Sequence, residues 1–419
     1  MPERLAVILM HLLQANGRVV SKEALATSVW PNDAVSDANL VQHIYMLRRL
    51  LGEKAKDHSA ILGVPRRGYR MAIPVEVVQT GIDETFTIDA ASLGEIVSGQ
   101  DFDAFKSYCQ GSFFLSQRSP AALDKALEFF RESLNANPEY VPALIGIART
   151  YGLLAAYWHV PHETTCPLAG AAIDRALTID PGSGVAHAVR GGYLNFCEWD
   201  WTGAREEMDL AIRLNPGSPL VRNNAAWLDV CTGRYDEALA HARLALALEP
   251  ASLAYQLLVA RVLVHSGDYR RAIALMSNII DIDPGFYIAR RYRAQAYLLG
   301  GSPKLALADL NVISQERGED ASFRLPMISR AYADLGDMRR AKDSFEKLKD
   351  LAKTHYVVQW NLAIAAVGIG RFDDALSYLE AAVRRREPTL VFLRSLPWFK
   401  PIARTPRFLT VIEKVESGG

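Results

Sequence analysis

The polar side chains between residues 36 and 52 are of the types that hydrogen-bond to nucleic acids. At the helical period the apolar residues of this stretch fall on one face, and amide, imidazole and guanidinium groups fall elsewhere. Its apolar face comprises Leu40, Ile44, Leu47 and Leu51. Its candidate DNA contacts are Asn39, Gln42, His43, Tyr45, Met46, Arg48 and Arg49. Amides suit base edges in the major groove and arginines suit phosphate oxygens, so the pattern predicts a DNA-recognition helix.

The limits of this helix are marked in the sequence. Ser36 and Asp37 are N-cap types that precede the periodic run, and Gly52 stands where a left-handed residue ends a helix. An amphipathic helix with two arginines is, by itself, more often a solvated surface helix than a DNA reader. The elements around it therefore decide between the two interpretations.

Those elements are two helices before the stretch and a hairpin after it. Glu3–Ala15 and Ser21–Trp30 have helical periodicity, with a turn between them. Ala60–Val64 and Tyr69–Ile73 have the composition of two strands, joined by a basic tip at Pro65–Gly68. Two helices, a long helix and a hairpin in this order predict a winged helix.

Three blocks of this region also carry a family resemblance. The segments GRVVSKEALATSVW, NLVQHIYMLRRLLGE and ILGVPRRGYRM resemble, in order and spacing, the OmpR/PhoB-type winged-helix DNA-binding domain. The variant they resemble is joined to tetratricopeptide repeats, as in HilA-like and CadC-like transcription regulators. The resemblance implies that the recognition helix enters the major groove of double-stranded promoter DNA. It also implies that the wing, with Arg66, Arg67 and Tyr69, lies along the minor groove and backbone.

Two departures from the family pattern matter. Ala38, Tyr45 and Met46 stand where arginines often occur in the response-regulator branch, so base readout must differ. The family also begins with a small sheet, for which Met1 leaves no room before the first helix. We therefore expect this leading sheet to be missing and part of the helix surface that it covers to be exposed. The residues concerned are Leu5, Ile8, Leu9 or Leu12.

Length and charge limit the remaining possibilities. The 419 residues are half hydrophobic, which suffices for two or three folded domains. The formal net charge is 0, yet the stretch from Ser36 to Met71 holds seven Lys/Arg against three acids. No apolar run is long enough to span a membrane and no signal peptide is evident, so we expect no membrane contact.

The four cysteines favour a reducing compartment. Cys109, Cys166, Cys197 and Cys231 are far apart and lack CxxC spacing. They fit buried thiols better than a disulfide framework. We therefore expect a cytoplasmic protein of bacterial type.

A period of 34 residues organises the rest of the chain. Glycines recur at this spacing at Gly233, Gly267, Gly301, Gly336 and Gly370. Each is followed five residues later by an alanine, at Ala238, Ala272, Ala306, Ala341 and Ala375. The pattern resembles the tetratricopeptide repeat, whose two helices cross closely at a small residue. We expect about eight repeats and a C-terminal capping helix in an all-α superhelix.

The first helix of each repeat should line the inner face of this superhelix. The aromatic, basic and amide residues expected there are Asn223, Trp227, Arg261, Arg291, Gln295, Arg330 and Trp360. A groove of this composition suits an acidic or amphipathic peptide, or another protein. The alternative is that individual members pack between repeats.

The sequence lacks the common catalytic and cofactor motifs. No P-loop, Rossmann fingerprint, HExxH or GxSxG occurs, which favours a protein that is not an enzyme and needs no cofactor. The one candidate metal cluster is His159, His162 and Cys166, with Glu163 between them. Because Pro161 interrupts a helical face and no fourth ligand follows, a plain loop without metal is favoured.

These patterns together predict a mainly α protein with two domains. A small winged helix-turn-helix (α+β) occupies residues 1–78, a linker 79–103, and the repeat domain 104–419. The predicted function is a sequence-specific DNA-binding transcription regulator whose repeats bind a protein or peptide partner or mediate self-association, including as a homodimer. The alternative is a repeat scaffold whose winged helix makes protein contacts. The operator, the sign of regulation, the oligomeric state and the groove ligand stay open.

Overall fold

The structure, a computed structural model, describes residues 3–15, 17–29, 40, 43–44, 47–48, 61–64, 67–72, 100–157, 160–316 and 321–418. The chain forms two compact units, residues 1–116 with 125–143, and residues 117–124 with 144–419. It is mainly α-helical, as the sequence predicts, and its described part contains one two-stranded sheet. No helix in these ranges is long and apolar enough to cross a membrane.

The N-terminal elements follow the predicted order. They are α1 (Glu3–Gln14), α2 (Lys22–Val29), β1 (Ile61–Val64) and β2 (Gly68–Met71). The two strands are antiparallel. At the start of β2, Gly68 has a φ of 136°, and a Cβ there would lie 1.9 Å from the Val20 carbonyl oxygen. Only glycine therefore allows the backbone of Tyr69 to pair with Val20 beside the sheet.

The core of these elements confirms the predicted inner face of the recognition helix. Leu40, Ile44 and Leu47 are helical and at most 2% exposed, whereas Leu51 lies outside the described residues. The expectation of exposed residues on α1 is wrong for two of them, because Ile8 and Leu12 are fully buried in the same core. The other core members include Leu25, Val29, Ile61 and Met71.

Eight pairs of helices follow in the described part of the chain. They are α3 (Gln100–Gln117) with α4 (Pro120–Ala136), α5 (Val141–Ala156) with α6 (His162–Ile179), α7 (Gly184–Tyr193) with α8 (Trp201–Leu214), α9 (Pro219–Cys231) with α10 (Tyr235–Leu248), α11 (Leu253–His265) with α12 (Tyr269–Ile282), α13 (Tyr287–Leu299) with α14 (Pro303–Glu316), α15 (Ala321–Asp334) with α16 (Met338–Leu351), and α17 (Gln359–Gly368) with α18 (Phe372–Arg384). After them come two 3₁₀ helices, Pro388–Phe392 and Pro397–Ile402, and α19 (Pro406–Glu416).

The 34-residue period has a simple structural cause. All five periodic glycines have φ between 75° and 86°, in the left-handed region that turns the chain between the two helices of a pair. All five periodic alanines have no exposed surface, because the helices cross closely there. Each repeat thus places a turn and a close contact at fixed positions.

The third helix pair departs from this pattern. Its first helix, α7, continues into a π-helix, Leu194–Glu198, which ends at Trp199. Trp199 has a φ of 54° and is 2% exposed. An added residue in a helical turn shifts the side chains that follow it, and such turns are frequent at functional sites.

The structure contains a disulfide, whereas the sequence predicts four buried thiols. Cys166 on α6 and Cys197 in the π-helix form a disulfide, with their Cα atoms 6.1 Å apart. Their separation of 31 residues does not reveal this pairing, because only the packing of successive repeats brings the two side chains together. Cys109 and Cys231 take no part in a disulfide, and burial raises the pKa of the Cys231 thiol to about 12.

Candidate functional site

Part of the predicted DNA surface lies within the described residues. Arg67 is exposed in the β1–β2 turn, where its N–H donates to the Val64 carbonyl at 3.0 Å. His43 is half-buried on the recognition helix. Six further candidates lie outside the described residues: Asn39, Gln42, Tyr45, Met46, Arg49 and Arg66.

Two candidates have internal roles that the sequence did not indicate. Arg48 donates from Nε and Nη2 to the Ile61 carbonyl, at 3.1 and 2.8 Å, and so ties the recognition helix to β1. Tyr69 is 8% exposed and belongs to the hydrophobic core. Arg48 thus binds a backbone carbonyl and Tyr69 packs in the core, and their roles as DNA contacts stay predictions.

Residues 388–402, here called the C-terminal segment, contact the first helices of four repeats, α9, α11, α15 and α17. Phe392 packs on Trp227, with ring centroids 5.9 Å apart, and on His265 at 4.6 Å. Ser395 Oγ lies 2.8 Å from Nδ1 of the same histidine. The C-terminal segment therefore makes contacts of the kind that the sequence predicts for a partner.

The second half of the C-terminal segment covers two further groove candidates. Trp398 lies beneath the Arg330 guanidinium, which also donates to Asp334 at 2.8 Å. Phe399 meets Trp360 edge-on, with ring centroids 5.0 Å apart. Arg330 and Trp360 thus hold the chain's own C-terminal segment.

Two other candidates also differ from the prediction. Arg291 is 1% exposed, with its guanidinium carbon 4.1 Å from the Phe323 ring centre, and it donates to the Tyr157 carbonyl. Its assignment to a groove surface is corrected, because it packs inside the repeat domain. Asn223 is half-buried and is not among the residues that line the cavity described next.

A cavity remains between the C-terminal segment and the repeats. It encloses about 590 Å³, part of it open to solvent. Its lining comprises Ala156, Arg261, Val264, His265, Tyr292, Gln295, Phe323, Met327, Trp360, Ile364, Thr389, Phe392, Leu396 and Trp398. Predicted groove residues Arg261, Gln295 and Trp360 therefore meet in one place. The mostly apolar wall with a few polar groups is typical of a small-molecule site.

Arg261 is the charged group of this cavity. Its guanidinium carbon lies 4.2 Å from the Trp227 ring centre and 4.0 Å from that of Tyr292. Burial lowers the pKa of Arg261 and raises that of Tyr292. Burial and the positive charge of Arg261 lower the pKa of His265 to about 3, so this imidazole is neutral at physiological pH.

A buried carboxylate stands at the start of the C-terminal segment. Glu387 has no exposed surface, and its oxygens accept the backbone N–H groups of Gln359 and Trp360 at 2.7 and 3.1 Å. These are the first two residues of α17, where orphan N–H groups favour an anion. Burial nevertheless raises the pKa of Glu387 to about 7.

The described residues of the candidate metal cluster have other partners in the structure. His162 begins α6, so the segment predicted as a loop is helical from there, and His159 lies outside the described residues. His162 contacts the Tyr356 hydroxyl and the Arg385 carbonyl, Glu163 pairs with Arg385, and Cys166 is in the disulfide. Within the described ranges, no group of three or more His, Cys, Asp and Glu is placed to hold a metal.

Sequence reasoning missed the residues that complete the cavity. Tyr292 and His265 lie on the same helices as the predicted Gln295 and Arg261, and helical periodicity could have added them. Thr389, Phe392 and Trp398 lie beyond the last repeat. The aromatic and proline-rich composition of this tail was the available signal, but it was interpreted as a capping helix.

Comparison with known proteins supports the two-part organisation. Residues 2–71 match the family described as "Transcriptional regulatory protein, C terminal". Tetratricopeptide-repeat families match residues 223–285, 257–321, 327–355 and 360–395. The repeat likeness extends to solved structures, among them a tetratricopeptide repeat protein from Parabacteroides merdae. That likeness covers 63% of this chain and 98% of the other, at 15% identity and a TM-score of 0.42.

Two of the curated relatives each match about a sixth of the chain. Transcriptional regulator HilA of Salmonella typhi is 40% identical over 77 residues, which is 18% of this chain and 14% of HilA. Transcriptional activator CadC of Escherichia coli is 33% identical over 73 residues, or 17% of this chain and 14% of CadC. The matches thus span about one seventh of each relative. The chain carries an OmpR/PhoB-type winged-helix domain at its N-terminus and tetratricopeptide repeats downstream, and this domain is homologous to those of HilA and CadC.

Proposed function

We propose that the protein is a sequence-specific transcription regulator that binds promoter DNA through its winged helix. The observation that carries the proposal is the burial of Leu40, Ile44 and Leu47, which fixes the core face of the recognition helix. At about 100° per residue, the helical period predicts that Gln42, Met46 and Arg49 lie on the opposite face. That face carries the amide and guanidinium groups from which the sequence predicts base and phosphate contacts.

The wing supports the same proposal. Arg67 is exposed at the β1–β2 turn, and Arg66 precedes it in the sequence. Arginines on such a hairpin suit the phosphate backbone or a narrow minor groove. The repeat domain would then bind a protein or peptide partner that adjusts the activity of the DNA-bound protein.

The test separates base readout from phosphate neutralisation. We expect Gln42→Ala to cost about 1–3 kcal/mol on the specific site and to relax preference at one base pair. Arg66→Ala/Arg67→Ala should weaken binding to all DNA and lower the slope of log K against log salt by about one for each phosphate that is no longer neutralised. Fluorescence anisotropy with labelled DNA from the region upstream of the protein's own gene, over a salt series, measures both effects.

A matched control removes two arginines from the repeats instead. Arg339 and Arg340 are adjacent and exposed on α16, so Arg339→Ala/Arg340→Ala changes the net charge equally without touching the winged helix. We expect its affinity and salt slope to equal those of the unmodified protein. Equal effects from the wing and repeat variants, or no DNA binding at all, would favour a scaffold whose winged helix makes protein contacts.

A further inference from the structure

The cation of the inner cavity has an unusual environment. The Arg261 guanidinium lies between two aromatic rings, and among the described residues it makes no hydrogen bond and no ion pair. The groups that act on its charge are two tyrosines, Tyr292 and Tyr157, and two further arginines, Arg118 and Arg291. None of them is a carboxylate. Arg261 is half-buried, and a cation in these surroundings is costly, because stacking offsets only part of the lost hydration.

Uncharged groups of the same cavity also lack partners. Thr389 is 9% exposed and Trp398 is 2% exposed, and both line the cavity. Thr389 Oγ1 and Trp398 Nε1 are buried without a hydrogen bond. Both atoms have almost no accessible surface, so a ligand in the cavity cannot reach them as they stand. Arg261 therefore marks where a ligand's polar end belongs.

The rest of the wall defines the other end of the ligand. Val264, Ile364, Leu396 and Met327 supply aliphatic surface, and Phe323 and Trp360 supply aromatic faces. A wall of this kind favours an apolar or aromatic body through burial of its surface.

We propose that this cavity binds a small amphipathic anion, with its carboxylate on Arg261 and its apolar body against the aliphatic and aromatic wall. The ligand is small because the C-terminal segment already occupies the space beside the cavity, at Trp227, His265 and Trp360. By contacting both that segment and the first helices of the repeats, a bound anion stabilises their packing. The proposal concerns ligand binding alone and does not require DNA binding.

The experiment uses the full chain and three probes that separate charge from apolar body. Isothermal titration calorimetry compares 4-phenylbutyrate, its neutral analogue 4-phenylbutyramide, and inorganic phosphate. We expect the acid to bind at least ten-fold more tightly than the amide, because a charge-assisted hydrogen bond is about twice as strong as a neutral one. Phosphate, which lacks an apolar body, should bind at least ten-fold more weakly than the acid.

Two arginine variants locate the site. Arg261→Met should weaken 4-phenylbutyrate binding at least ten-fold. Arg271→Met, which removes an exposed arginine of α12 paired with Asp268, should leave it unchanged. No binding of the acid at 10 mM, equal affinity for acid and amide, or equal binding by the Arg261→Met variant would each overturn the proposal. If that variant does not fold, the comparison of acid with amide on the unmodified protein still decides. Loss of DNA binding in the earlier test would leave this result unaffected.

Discussion

Charged side chains inside the repeat domain have different kinds of partners in two of its regions. Between neighbouring helices they are paired: Arg293 donates to both oxygens of Asp309 at 2.8 and 2.7 Å, and Arg205 donates to the buried Asp229 at 2.6 Å. Near the C-terminal segment, Arg261 lies between two aromatic rings without an ion pair and Glu387 accepts only backbone hydrogen bonds, among the described residues. The paired charges fix helix against helix, whereas the unpaired ones are where protons or ligands can change the structure.

The largest expected effect is a pH dependence from Glu387. Its folded pKa of about 7 exceeds the unfolded value of 4.5, so the folded protein binds more protons between these values. Stability should therefore fall as pH rises from about 4.5 to 7, by up to about 3 kcal/mol. Urea unfolding at a series of pH values measures this slope.

Glu387→Gln is the matched variant for this measurement. It keeps a side-chain acceptor at the start of α17 but does not titrate, so its stability should depend less on pH over the same range. Glu163, Arg385 and Tyr356 interact with the same carboxylate and remain in both proteins. Parallel pH profiles for the two proteins would show that Glu387 is not the group responsible.

A smaller effect is expected from breaking a paired charge. Asp309→Ala leaves Arg293 and Arg290 without their carboxylate, at 16% and 14% side-chain exposure. We expect a loss of about 2 kcal/mol in the free energy of unfolding, less than for a fully buried pair because water reaches both arginines. Asp268→Ala, at an exposed pair that also caps α12, serves as the control and should cost about 1 kcal/mol. Equal losses at the two sites would remove the distinction between buried and exposed pairs.

The smallest effect is expected at the unpaired cation. Arg261→Met removes a half-buried charge that has no carboxylate partner among the described residues, and it keeps an unbranched side chain between Trp227 and Tyr292. The stability of the ligand-free protein should change by less than about 1 kcal/mol in either direction, because the stacking and the desolvation cost that disappear with the charge oppose each other. Thermal unfolding without added anions tests this, and a loss as large as that of Asp309→Ala would make Arg261 a structural residue.

The sequence predicts best where a pattern has one physical cause. The periodic glycines require left-handed backbone and the periodic alanines require close helix contact, so both were visible as a 34-residue spacing. Leu40, Ile44 and Leu47 share a helix face and are buried for the same reason. Local periodicity sufficed in each case.

Features that depend on distant contacts were not predictable in this way. Cys166 meets Cys197 only because two successive repeats pack together. Ile8 and Leu12 were expected to be exposed because the family resemblance, rather than the packing, suggested what covers α1. Arg48 and Tyr69 are residue types that often contact DNA. In the structure, however, Arg48 donates to the Ile61 carbonyl of β1, and the backbone of Tyr69 pairs with Val20. The cavity residues of the C-terminal segment were not predictable for the same reason, because they reach the cavity only through contacts with residues distant in the sequence.

The covering of the first helices by the C-terminal segment has a consequence for how the protein is made. A repeat array alone can form unit by unit as it leaves the ribosome, since each repeat needs only its neighbour. Here Ser395 must find His265, 130 residues earlier, and Arg386 must find Glu198, 188 residues earlier. Contacts of such long sequence separation form slowly. The nascent chain therefore exposes the aromatic inner face of its repeats until the C-terminal segment has been translated, and this interval is when chaperones or a cotranslational ligand have access to it.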